Sequence, residues 1–174
     1  MFENIQRTPD VVMIEEKQAS SAVGNEGVFA LNDVSVETVP STEELSVYVK
    51  AQSTPVKKVR LRWHFQSRLK GQVLGDAWER SYADLGWQHI TPYQTLPWYA
   101  LVNQRDVTIG YGVNVRPAAI CSWQIDPEGV TLWLDVRCGG EGVRLNGRRL
   151  WLPRWYAGNT AASVPLKQPG GFAM

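Results

Sequence analysis

The side chains able to do chemistry crowd most densely into "GDAWERSYADLGW", residues 75–87, which holds Trp78 and Trp87 together with Asp76, Glu79, Arg80 and Asp84. Sugar rings present apolar C–H faces fringed with hydroxyls. A surface that grips them pairs flat indoles with carboxylates and guanidinium groups that bond hydroxyl pairs. Trp78, Glu79, Arg80, Asp84 and Trp87 supply that mixture and are the candidate substrate-binding residues. Read as structure alone, the same residues are a surface Glu79–Arg80 pair and two indoles plugging the end of a sandwich, and so short a string leaves both readings open. A glycosidase needs two carboxylates flanking the scissile bond. Nothing in the spacing sets Glu79 opposite Asp84, so no catalytic residue is assigned.

Other chemistries find less support. His64 and His89 show no metal-ligand spacing, and Cys121 and Cys138 make neither a zinc set nor a disulfide framework, so both thiols are expected to be buried and free. "GYG" at 110–112 is too short for a phosphate loop and no serine nucleophile elbow is present, so no cofactor or metal is expected. "KKVRLR" sets Lys58, Arg60 and Arg62 on one strand face. With 18 basic against 17 acidic residues and a net charge of +1, that face reads as solvated rather than as a nucleic-acid interface. No apolar run approaches the roughly 18–20 residues of a spanning helix, so no membrane contact is expected. The first seventeen residues hold no apolar signal region, which points to the cytoplasm.

The elements that must position these side chains are strands. At 174 residues the chain suits a single core. "KKVRLRWHF" alternates Val59, Leu61, Trp63 and Phe65 against Lys58, Arg60, Arg62 and His64, the period of a half-buried strand. "LSVYVKA" (45–51) alternates too, and "STP" between the two runs predicts that they form a hairpin. Residues 99–104 and 106–115 form a second pair, and "GVTLWLDVR" (129–137) follows the turn signal "DPEG". Asn146-Gly147 predicts a third hairpin. Trp133, between Leu132 and Leu134, faces away from the core side that takes Trp63. Helical periodicity is missing. The expected fold is therefore all-β, an antiparallel β-sandwich. A surface loop is expected at 16–27 and a long loop at 68–98, the latter carrying the string above. The sandwich domain spans 1–157, and the small, polar, Pro/Gly-rich residues 158–174 read as a linker or frayed tail.

Two strings, "LGDAWERSYADLGW" and "CSWQIDPEGVTLWLDVRCGGEGVRLNGRRL", resemble the N-terminal β-sandwich domain of bacterial alpha-galactosidase-like enzymes, the melibiase group of family-36 glycoside hydrolases. The likeness runs from about Val56 to Leu152. It implies a large sandwich (supersandwich-like) packed against a catalytic (β/α)₈ barrel that carries both catalytic aspartates, with sandwich loops bordering the mouth of the sugar site. By position those loop residues are Trp78, Glu79, Arg80, Asp84 and Trp87. The family pattern fades after Leu152 and no barrel follows, so an accessory domain inactive by itself is expected. Two other expectations stand beside it: a freestanding carbohydrate-binding module whose tryptophans bind glycan directly, and a homo-oligomerisation domain.

Overall fold

The computed structural model describes residues 7–16, 18–42, 44–76, 86–105, 107–114, 118–137 and 140–161. All of their regular structure is β. The strands in chain order are β1 (Val11–Glu15), β2 (Ala19–Ser21), β3 (Val23–Asn25), β4 (Val28–Leu31), β5 (Val34–Pro40), β6 (Leu45–Ala51), β7 (Lys58–His64), β8 (Gln72–Gly75), β9 (Gln88–His89), β10 (Thr95–Pro97), β11 (Tyr99–Gln104), β12 (Val107–Val113), β13 (Ile120–Asp126), β14 (Gly129–Asp135) and β15 (Arg149–Ala161). They form a six-stranded sheet, β10-β13-β14-β7-β1-β2, and a nine-stranded sheet, β3-β4-β5-β6-β15-β12-β11-β8-β9. Every pairing is antiparallel. The two sheets pack face to face as a β-sandwich, as the alternating runs predict. Among the described residues no helix is long and apolar enough to cross a membrane.

Alternation places the core. Val59, Leu61 and Trp63 of β7 are buried, as are Cys121, Trp123 and Ile125 of β13 and Leu132 and Leu134 of β14. From the nine-stranded sheet come Val34 and Val36 of β5, Val47 and Val49 of β6, Tyr111 of β12 and Leu152 of β15. Trp63 donates its indole N–H to the Arg7 carbonyl at 2.9 Å, so its polar atom is satisfied inside the core.

Several expected connections differ. Runs 45–51 and 58–64 are both strands but not a hairpin: β6 pairs with β5 and β15, whereas β7 pairs with β1 and β14. The chain between them crosses from one sheet to the other. Asp33 fixes that crossing by accepting from the Ser53 and Thr54 amides and from both hydroxyls. Asn146 and Gly147 do adopt positive φ, 51° and 77°, and Arg148 N–H reaches Leu145 carbonyl at 3.0 Å. The turn therefore forms, yet no strand precedes it. Val143 makes an isolated bridge to Val56 instead, because β15 is taken up by β6 and β12. The pairs β11–β12 and β13–β14 form as expected.

The surface loop expected at 16–27 contains β2 and β3, two short exposed edge strands. The loop expected at 68–98 is broken by β8, β9 and β10, which are too short to show an alternation. The 157 boundary also moves. β15 continues through Ala161, and residues 158–161 pair with Val107–Gly110 of β12 rather than fraying. Backbone pairing with β12 extends the strand over small residues that carry no hydrophobic signal in the sequence. Residues 162–174 lie outside the described residues.

Candidate functional site

Of the predicted contact residues, Trp78, Glu79, Arg80 and Asp84 lie outside the described residues. Trp87 is half-buried and Asp76, at the start of the string, is buried. The string leaves β8 after Gly75 and returns at β9, where Gln72 pairs with His89 and Val73 with Gln88. Both of its ends are thus held at one edge of the nine-stranded sheet. Gly75 pairs with Ala100, and a Cβ there would press on Leu96 at 3.0 Å and on the Tyr99 carbonyl at 2.9 Å. The loop therefore starts against the segment that carries Trp98.

Trp98 joins β10 of one sheet to β11 of the other and takes φ +65°, a left-handed conformation that is uncommon for a bulky residue. Three hydrogen bonds hold it there: its N–H donates to Cys121 carbonyl at 3.2 Å, and its carbonyl accepts from Val113 N–H and from Trp123 Nε1–H, both at 3.2 Å. The residue is nevertheless 40% exposed. Strained backbone held by its surroundings, carrying an exposed aromatic side chain, is a feature of ligand-contacting positions.

A groove of about 280 Å³ opens on the outer face of the six-stranded sheet, lined by Trp133, Gln124 and Ser122, by Lys58, Asp135 and Ile120 in one row across β7, β14 and β13, and by Thr95 of β10 beside Gln124. The ladder sets Trp133 between Arg60 on β7 and Ser122 on β13. The Arg60 guanidinium lies 5.2 Å from the indole centroid, a cation–π contact. Trp133 Nε1–H donates to Gln124 Oε1 at 3.2 Å, while the Gln124 amide N–H₂ donates to the Pro92 carbonyl. Gln124 thus orients the indole and ties the 91–94 turn to the groove edge. Tyr93, next in that turn, is 90% exposed.

Lys58 and Asp135 at the groove are paired, whereas the Arg60 guanidinium meets Met13 Sδ and the Trp133 ring. Lys58 stands 3.9 Å from Glu15 and 4.0 Å from Asp135, and Asp135 is also held by Arg137 at 2.6 Å. Burial pushes the Asp135 carboxyl up, but the Arg137 side chain and amide and the charge of Lys58 outweigh it, so it titrates below its ordinary value. Further along the same face, Arg62 is buried, contrary to the solvated face expected. It bonds both Asp126 oxygens at 2.6 and 2.8 Å and Thr131 Oγ1 at 3.0 Å. The reason is the neighbouring hairpin turn, which brings Asp126 over the guanidinium. His64 is exposed as expected, and Cys121 is a buried free thiol pushed up to about 12 by burial. Cys138 lies outside the described residues. Among the described residues no group of three or more metal-ligating side chains is assembled.

Sequence reasoning did not select the groove, although most of it lies in the second of the two quoted strings. The signal was available: period-2 alternation puts Ser122, Gln124, Trp133 and Asp135 on one face. What alternation cannot show is that β13 and β14 stand side by side with those residues in register. No family model matches the chain, and a search of curated proteins returns no match.

Proposed function

We propose that the chain is an accessory β-sandwich of an alpha-galactosidase-like glycoside hydrolase, packing on a catalytic (β/α)₈ barrel and lending carbohydrate contacts to the mouth of its site. The observation that carries this reading is the shared position of two features. The indole- and carboxylate-rich string springs from Gly75, and Gly75 abuts the segment of the strained, exposed Trp98. The contact residues proposed are Trp78, Glu79, Arg80, Asp84 and Trp87. A cytoplasmic home accords with a free thiol at Cys121.

The test is complementation. The chain alone should leave an aryl alpha-galactoside at its buffer rate of hydrolysis. Added to the barrel of such an enzyme stripped of its own sandwich, it should co-sediment with the barrel and raise its turnover. Failure to associate overturns the reading, as does turnover by the chain alone that Glu79→Gln or Asp84→Asn abolishes. A second reading, a freestanding carbohydrate-binding module, is favoured by the Trp133 groove, and it predicts full sugar affinity with no gain on adding the barrel.

A further inference from the structure

We infer that the outer groove of the six-stranded sheet is a binding site for a neutral pyranoside, stacked on Trp133 and separate from the 75–87 string. This inference shares with the proposed function the premise that the domain handles carbohydrate, and it assigns a second site that the string does not reach.

The indole supplies the platform. Its neighbours across the ladder differ: Arg60 covers the β7 side, whereas Ser122 leaves room on the β13 side, where the groove lies. Arg60 therefore backs the ring, and Trp133 lines the cavity. Electron-rich aromatic faces take the weakly positive C–H face of a pyranose as they take other positive edges. The Gln124 bond to Nε1 fixes the ring orientation before any ligand arrives, which lowers the ordering cost of binding. Gln124 gives one amide N–H to the Pro92 carbonyl and its oxygen to the indole, so it holds the ring and the groove edge in place.

The rim selects the ligand class. Ser122 and Thr95 offer hydroxyls, and Lys58 with Asp135 offers a donor and an acceptor at 4.0 Å. Their charges cancel, and Glu15 stands by Lys58 at 3.9 Å. Lys58, the cation of the lining, already stands between Glu15 and Asp135, so a phosphate or uronate gains little there, whereas a vicinal diol matches one donor and one acceptor. The volume of about 280 Å³ sits at the lower limit for small-molecule sites, suited to one or two sugar rings. Tyr93, in the turn that Gln124 holds through Pro92, is exposed.

The experiment titrates the full chain with methyl alpha-galactopyranoside, following the Trp133 indole N–H by NMR, with methyl glucuronide as the charged control. Binding should shift that signal. Trp133→Ala and Ser122→Arg (which plugs the cavity from a solvent-facing position) should each weaken binding about tenfold or more, equivalent to ~1.4 kcal/mol, while Trp133→Phe retains most of it and the glucuronide does not compete. Circular dichroism checks that each variant is folded, and Ser122→Arg keeps the test decisive if Trp133→Ala unfolds. Sugar binding that survives both groove variants but falls in Trp87→Ala overturns the groove and leaves the accessory-domain reading standing. Absence of a Trp133 shift with any neutral glycoside also overturns the groove. Complementation of a barrel decides the proposed function independently of either result.

Discussion

Arg62 and Asp126 show how one residue pair converts an exposed strand face into a structural one. The Arg62 side chain is 9% exposed and Asp126 15%, so truncating the acid strands a buried cation. Asp126→Ala should cost about 2–3 kcal/mol in urea unfolding at neutral pH, the range for hydrogen bonds to charged groups. Burial raises the Asp126 carboxyl, but Arg62 and the Glu128 amide outweigh it and hold it below 3.8. A depressed folded value means that stability is present above 3.8 and lost as pH falls through the folded value. Asp10 and Asp135 shift in the same direction, so wild-type stability should fall steeply below about pH 4, and less steeply in Asp126→Ala. An equal slope for both proteins would remove Asp126 from the account. Tryptophans separate by burial: Trp63, fully buried, should cost roughly 3–5 kcal/mol on truncation to Ala. Trp151, 46% exposed, should cost no more than about 0.5 kcal/mol. Comparable losses in the same denaturation assay would contradict the placement of one of them.

At the scale of elements, the β13–β14 hairpin is the most exacting. A Cβ on Gly129 would run into the Trp63 carbonyl oxygen and crowd the Arg62 guanidinium. Gly129→Ala should therefore destabilise by about 1–3 kcal/mol, and it should loosen the Arg62–Asp126 pair with it, visible as a smaller acid dependence. Strands with clean alternation were legible in the sequence: 45–51, 58–64, 99–104 and 129–135 all stand where period-2 patterning puts them. Partners were not, because pairing is decided by which strand completes each sheet. Residues 45–51 and 58–64 look like neighbours and lie in opposite layers. Strands of two to four residues, such as β8, β9 and β10, carry too few side chains to show a period. Of the candidate site, Trp87 was chosen from the string, while the groove residues were recognisable singly and not as a set.

For the whole molecule, the free edges are short: β2, β3 and β10 have three residues each and β9 has two, which limits edge-to-edge pairing. Val23 on β3 is 83% exposed. Val23→Lys should reduce self-association at high concentration in sedimentation while leaving the thermal midpoint unchanged. A marked fall in the midpoint would show that β3 contributes to the fold more than an edge does. The nine-stranded sheet has a different vulnerability. Among the described residues its two halves, β3 to β6 and β12 to β9, pair only through β15, whose first residues pair with β6 and whose last pair with β12. A chain ended at 157 would lose the four pairs from Gly110↔Gly158 to Val107↔Ala161, and should aggregate on light scattering where the full chain does not. During synthesis the same arrangement imposes an order. Both halves emerge from the ribosome before the strand that joins them, so β6 and β12 wait with open flanks while the remaining residues are translated at roughly 5–20 per second. A pull on the chain beyond Ala161 would load that one splice in shear, so the strand that closes the sheet is also where force would first part it.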